Sequence, residues 1–440
     1  MQHAGNDRPR GFRRGLLVAV LLGAGWRLGV LAVDKWHQQL LLNDSFYYSA
    51  QAQQIADGRW FREIFVDQPG AEHGPLTSLL LAAVSWVDDP VPWQRLVTVL
   101  FGVGAIVAIG LLGRRIGGPR VGVIAALIAA VYPNLWMNDG LVMSESLTAL
   151  LVSLVLLASH RAMSTPGWRV AALVGMLAGL AALTRSELAL LVPGIAAMLW
   201  FLGPLAGSNA GGVGWWERLR RPAVVVLAAM LTVAPWVGFN LVRFERPVTL
   251  TTNDGTTLLG AYCDDSFYGS NMGGWSLLCV VADPSYSVDE EPSVRSERQR
   301  SLAVSYARSH AGRLPLVVVA RLGRSLDVFG LDSLVAQDVG EERYRWASWA
   351  GIVSWWLLAV AATVGFVRMP VRHRWLLALP GIVVAITTVV FYGGHRIRSS
   401  MEPVVVVAAA VAVTWAIDRA RARRLRQLGP GPTGHEEPAV

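Results

Sequence analysis

The sequence predicts an all-α polytopic membrane protein of about ten transmembrane helices, on three observations. The first is composition: 53% of the 440 residues are hydrophobic and only 16% charged, with a mean hydropathy of +0.42. That balance does not fit a water-soluble domain of this length. The second is a series of apolar runs at residues 15–33, 96–113, 120–137, 141–159, 169–184, 187–203, 222–241, 348–367, 375–391 and 403–417. Each approaches the length needed to cross about 30 Å of hydrocarbon as a helix. The third is the placement of arginine in every second connection, the mark of loops retained on the cytoplasmic side.

The elements follow in order from that alternation. Arg8, Arg10, Arg13 and Arg14 precede the first run; Arg114, Arg115 and Arg120, then His160, Arg161 and Arg169, then Arg218, Arg220 and Arg221, then Arg368, Arg372 and Arg374 occupy alternate connections, and a basic tail spans Arg419 to Arg426. Both termini are therefore expected inside. The scheme holds only if the short apolar run Pro75 to Val87 does not cross, so it is expected as a juxtamembrane or re-entrant helix. The first run is about 19 residues long, contains Arg27 and lacks a small-x-small cleavage site, so it is expected as an uncleaved helix rather than a signal peptide. The chain divides into a membrane module at 1–241 carrying a first external loop at 34–95, an external segment at 242–347, C-terminal membrane helices at 348–418, and a tail at 419–440. The tail is disordered by composition from Gly429 onward.

The net charge of +8 and pI near 10.0 come from scattered loop arginines and not from a folded basic domain, so nucleic acid is not expected as a partner. No Walker loop, dinucleotide fingerprint or His-Glu-x-x-His motif occurs. Gly175-xxx-Gly179 and Gly102-x-Gly104 are expected at helix contacts. In the second external segment, Pro247 to Gly255 is a β-prone run ending in a turn signal. Pro315 to Gly330, with Arg321, Arg324 and Asp327 at helical spacing, is expected as an interfacial helix. The only cysteines, Cys263 and Cys279, both lie in this segment. An oxidising exterior favours a disulfide between them, worth roughly 3 kcal/mol in the chain-entropy view.

The chemistry is expected in the two external segments. Asn43-Asp44-Ser45-Phe46-Tyr47-Tyr48 precedes an amphipathic run, and Glu72-His73-Gly74-Pro75-Leu76 follows later in the same loop. Asp44 has either the role of a base at the external mouth of the first helix or that of an N-cap for the helix beginning near Phe46. The Glu72-His73 pair is either a substrate-binding turn or a polar turn with Pro75 at the first helical position. Glu145 and Arg185-Ser186-Glu187 stand at two further external corners, where substrate contact competes with ion pairing to each other or to Arg27. Arg27, inside the first helix, either snorkels or reaches an anion. Arg396 and Arg398 lie in the late loop Gly393 to Pro403, against the positive-inside bias, where they meet either an anionic ligand or lipid headgroups.

In their order along the chain these motifs resemble the GT-C membrane glycosyltransferases, in particular the protein O-mannosyltransferase and aminoarabinose transferase group. In that group an acidic pair often stands where this chain has Asn43-Asp44, and a basic or His residue followed by two prolines and leucine where it has His73-Gly74-Pro75-Leu76. The resemblance implies a GT-C-like fold and an inverting sugar transfer from a polyprenyl-phosphate donor to a protein, glycan or lipid acceptor, on the external face of a bacterial cytoplasmic membrane. It also implies roles: Asp44 and Glu72 as catalytic groups, His73, Arg396, Arg398 and Arg27 at the donor phosphate, and Tyr47, Glu145 and Arg185 at the substrate. No cofactor is implied, and a divalent metal is possible but not required. A lipid or sugar-lipid transporter, or a non-catalytic partner in envelope synthesis, is the alternative in which Asp44 does no chemistry.

Overall fold

A computed structural model describes residues 9–165, 167–202 and 215–427 of the chain. Arg8 and the tail from Gly429 lie outside the described residues. Seven helices are long and apolar enough to cross a membrane, Gly11–Lys35, Val91–Gly117, Glu145–Ser164, Arg218–Arg243, Arg345–Arg368, Val371–Val390 and His395–Arg424. Three shorter apolar helices, Pro119–Val131, Trp168–Thr184 and Ser186–Leu202, bring the number to ten among the described residues. The protein is a multi-pass membrane protein, as its apolar runs require. The run Pro75 to Val87 yields only the helix Pro75–Ala82, about 12 Å long and too short to cross.

Proline sets two of the boundaries that the hydropathy leaves open. The expected span at 120–137 ends as a continuous helix at Val131, because Pro133 forces Tyr132 into extended backbone (φ −68°, ψ 119°). The next span begins at Glu145, after a buried irregular stretch at 138–144 that turns through Gly140 at φ 89°. That stretch carries Asp139, which forms a fully buried ion pair with Arg27.

The helices pack through small residues. A Cβ on Gly175 would lie 2.2 Å from the carbonyl oxygen of Val225, and one on Gly179 3.0 Å from that of Ala229, so these two glycines let Trp168–Thr184 press against Trp215–Arg243. The core beneath is built of Ala, Val, Leu and Ile from most of the spans.

The segment 242–347 folds as a set of helices over one end of the bundle. The expected β-prone run forms no strand. Its backbone instead donates Thr252 N–H to Ala71 O at 2.8 Å, which brings the segment onto the Glu72-His73-Gly74 turn, and a helix follows at Asp254–Ala261. Cys263 and Cys279 are joined in a disulfide. The helix Leu314–Ser325 has the expected amphipathic pattern with its polar side turned inward: Leu316 and Val319 are exposed, while Arg321 and Arg324 are buried. Arg321 donates to Ala261 O and Val389 O, and Arg324 to Gly393 O and Ser333 Oγ. This tethers the segment to the last loop.

Candidate active site

All five connections expected outside meet at one end of the bundle, around a cavity of about 270 Å³. The first supplies Asp44, Tyr48, Glu72 and His73; the second Ser144; the third Arg185 and Glu187; the fourth Thr251, Asn253 and Asp254; the fifth Tyr392 and Arg396. The arginine-rich connections meet each other elsewhere: His160 packs on His373, Arg221 donates to Thr165 O, and Arg120 pairs with Asp418. Residues hundreds of positions apart thus gather around one cavity.

Asp44 is the first residue of the helix Asp44–Ala56, and it does not cap it. The cap is Asn43, whose Oδ1 accepts from Ser45 N at 2.8 Å. Asp44 is therefore free to point into the cavity, where its carboxylate lies 2.6 Å from Arg396 Nη1 and 3.4 Å from His73 Nε2. Burial alone would raise the proton affinity of this carboxyl, but the Arg396 guanidinium and the His73 imidazole outweigh it and hold the group well below the usual carboxylate range. His73 responds in the opposite sense: burial opposes its charged form, the Asp44 carboxylate more than compensates, and its pKa rises. Glu72 is raised above the ordinary carboxylate range by burial.

The turn that carries His73 is held on both sides. The Tyr48 ring stacks on the imidazole with centroids 4.8 Å apart, and Tyr47 meets it edge-on at 5.1 Å. Tyr47 also accepts a hydrogen bond from Glu72 N–H at 3.1 Å. Behind the turn, a Cβ on Gly74 would lie 2.4 Å from Leu183 O and 2.9 Å from Thr184 O. The turn touches the backbone at the end of Trp168–Thr184 too closely for any side chain at this position.

Arg396 is the hub. Its Nε donates to Glu145 at 2.8 Å, and its Nη1 reaches Asp44 at 2.6 Å and Glu341 at 3.5 Å. Arg185 meets the same Glu145 oxygen at 3.3 Å and Glu187 at 2.7 Å. Glu145 is almost fully buried, and its other oxygen, Oε2, has no hydrogen-bond partner. Charged groups at this depth persist because each is paired.

Three residues are placed away from the cavity: Tyr47, expected at the substrate, and Arg27 and Arg398, expected at the donor phosphate. Tyr47 lies outside the cavity lining and holds the Glu72 main chain, while its neighbour Tyr48, four residues after Asp44 and so on its helical face, lines the cavity. Arg27 is 2% exposed and spends its donors on Asp139 and on the carbonyls of Gly23, Ala129 and Ala130. Arg398 is fully buried against Asp327 at 2.6 Å and Glu402 at 2.7 Å. The reason is helical geometry: 395–398 is a single α-helical turn, in which residues two apart point about 200° away from each other. Arg396 and Arg398 cannot both face the cavity. His395, three residues before Arg398, shares its side and binds the same Asp327 at 2.8 Å.

Glu341 and Tyr48 are site residues beyond those expected from the sequence. Among the described residues no three His, Cys, Asp or Glu side chains gather as a metal site would need; of the cavity carboxylates, Asp44, Glu187 and Asp254 are each paired with an arginine. A larger groove of about 680 Å³ lies along the opposite face of Asp44–Ala56, lined by Phe46, Ser49, Gln53 and Gln54, with its charges, Asp57, Arg59 and Asp89, exposed. It lacks buried charge, so the chemistry is assigned to the smaller cavity.

Comparison with known proteins agrees on the fold. The profile of the dolichyl-phosphate-mannose-protein mannosyltransferase family matches residues 72–239, from the Glu72-His73 turn through the Trp215–Arg243 helix. No curated protein matches the chain. Among solved structures, the oligosaccharyltransferase AglB of Archaeoglobus fulgidus, in complex with an inhibitory peptide and a dolichol-phosphate, aligns over 97% of this chain and 52% of its own at TM-score 0.57 and 16% identity. Its apo form aligns over 98% and 53% at TM-score 0.58 and 15% identity. ArnT of Cupriavidus metallidurans bound to undecaprenyl phosphate aligns over 94% and 81% at TM-score 0.44 and 16% identity. The chain spans about half the length of AglB. What is common to both is the GT-C membrane fold.

Proposed function

We propose that this GT-C-fold protein is a membrane glycosyltransferase that moves a sugar from a polyprenyl-phosphate donor to an acceptor hydroxyl, with inversion, at the external face of a bacterial cytoplasmic membrane. The observation that carries the reading is the convergence of all five connections at this end of the bundle on one cavity, which holds a carboxylate free of capping duty, Asp44, against a cation, Arg396. Asp44 accepts the proton of the acceptor hydroxyl as its oxygen attacks the anomeric carbon. Arg396 and His73, whose charged form the Asp44 carboxylate favours, receive the charge that develops on the departing phosphate. Arg185, fixed by Glu145 and Glu187, contributes positive charge on the far wall. Glu72, raised by burial, orients the sugar or the acceptor.

The family match at residues 72–239 supports the reaction class, and AglB, solved with a dolichol-phosphate, supports a lipid-phosphate donor by analogy of fold. The test is Asp44→Asn, assayed for transfer from hexosyl and pentosyl polyprenyl phosphates in proteoliposomes. Asn keeps the shape but is no base, so the rate is expected to fall about 10² to 10⁴ fold, with the helix intact because Asn43 caps it. A wild-type rate removes Asp44 as the base and moves that role to Glu72, whereas absence of transfer by the wild type itself reopens the transporter alternative.

A further inference from the structure

The cations of this cavity are all engaged by carboxylates: Arg185 by Glu145 and Glu187, His73 by Asp44, and Arg396 by Asp44, Glu145 and Glu341. An entering phosphate must therefore share or displace a carboxylate. The closest contact, Arg396 to Asp44 at 2.6 Å, joins the group that would bind the leaving phosphate to the group that would act as base. While that pair holds, Asp44 has little use as a base, since the guanidinium stabilises its charged form.

We propose that Asp44 and the donor phosphate compete for Arg396, so that donor binding draws the guanidinium off Asp44 and unmasks the base only when a sugar donor is in place. Three features fit this exchange. Asp44 is the most exposed of the three carboxylates on Arg396, at 28% against 1% for Glu145 and 12% for Glu341, so water or an acceptor hydroxyl can take over its solvation. Glu145 stays as an anchor through Nε, and its unpartnered Oε2 offers a buried acceptor for a guanidinium that rotates. His73, on the other side of Asp44, is fixed by ring stacking on Tyr48 and keeps the released carboxylate in place. Asp44 then takes the hydroxyl proton as the new C–O bond forms, and the electrons of the breaking sugar–phosphate bond pass to the phosphate oxygen beside Arg396. An empty site thereby keeps its base masked until a donor arrives.

The proposal rests on the donor reading above, and the experiment separates the two. Binding of sugar-free polyprenyl phosphate to the full-length protein in nanodiscs is measured for the wild type, Asp44→Asn, Arg396→Gln and the double variant. Removing the competitor should tighten binding about tenfold, since hydrogen bonds to charged groups are worth at least that factor. Arg396→Gln should weaken it, and in that background Asp44→Asn should have no further effect. Unchanged or weaker binding by Asp44→Asn overturns the exchange, as expected if the phosphate meets the guanidinium without displacing Asp44 from Nη1. Equal tightening in both backgrounds also overturns it, because that is bulk charge and not competition for one guanidinium. Should Arg396→Gln fail to fold, Arg396→Lys takes its place: an ammonium cannot bridge two carboxylates as a guanidinium fork does, so the Asp44→Asn gain should shrink. Failure of the wild type to bind polyprenyl phosphate at all refutes the donor reading and this proposal together.

Discussion

Gly74 gives a prediction that runs against the group's own pattern. Its backbone, at φ −60° and ψ 141°, suits any residue including proline, so conformation does not demand glycine. Space does. A Cβ at this position would lie 2.4 Å from Leu183 O, 2.9 Å from Leu183 C and 2.9 Å from Thr184 O, all of them backbone atoms, where ordinary contact begins near 3.4 Å. The turn would have to recede by about 1 Å. Overpacking of this kind costs about 1–3 kcal/mol, and a 1 Å misplacement of a catalytic group can cost about 10² fold in rate. His73 is the adjacent residue and moves with the turn. Gly74→Ala is therefore expected to lose one to two orders of magnitude in sugar transfer with a modest fall in thermal stability. Gly74→Pro, the residue of the motif this turn resembles, is expected to do worse because it adds the same Cβ and a stiffer ring. Transfer rate and thermal unfolding, measured in the same detergent, decide the matter. Wild-type rate and stability in Gly74→Pro would refute the steric argument.

Arg398→Ala should destabilise the fold by about 3–5 kcal/mol, because it leaves Asp327 and Glu402 buried without their cation, while donor KM stays unchanged; weakened donor binding at normal stability would place Arg398 in the site instead. Glu63 has its pKa raised by burial to about 7. Its ionisation therefore opposes folding: stability is expected to fall as pH rises from about 4.5 through 7, and Glu63→Gln should flatten that part of the curve in pH-dependent thermal unfolding. Single cysteines introduced at Ser270 and Ser164, both exposed, test the sidedness in the Cys263→Ser, Cys279→Ser background. A membrane-impermeant thiol reagent added outside should label the first and not the second, and the reverse pattern would invert the topology.

The bundle was legible because two physical signals reinforce each other over long stretches: apolar length, which fixes the spans, and arginine placement, which sorts the connections. Together they put Asp44, Glu72, His73, Arg185 and Arg396 on one side of the membrane, and the fold brings them around one cavity. What was not legible is which way a side chain points once the local backbone is unknown. Arg396 and Arg398 look like a pair in sequence and would share a face in an extended loop, where alternate residues align. In a helical turn they diverge, and Arg398 goes to a structural cluster. Tyr48 over Tyr47 was in principle readable from the i, i+4 relation to Asp44. Glu341 was not, since it reaches Arg396 from a distant helix end with no local signature. Arg27 met a partner, Asp139, that hydropathy hid inside an apparent span boundary.

Asn43 leaves Asp44 free of capping duty. A helix that begins at Asp44 needs a cap, and Asp and Asn cap about equally well. An aspartate at 43 would do so at the cost of a second negative charge one residue from Asp44, drawing on the same Arg396 and His73. The amide satisfies Ser45 N–H through its oxygen and donates its own N–H to Gly340 O at 3.0 Å. That second bond ties the start of the helix to the residue beside Glu341. The cap thus holds two of the carboxylates of Arg396, Asp44 and Glu341, in register without adding charge. Capping and chemistry are divided between neighbours, and the competition for Arg396 is left to Asp44, Glu145, Glu341 and the ligand.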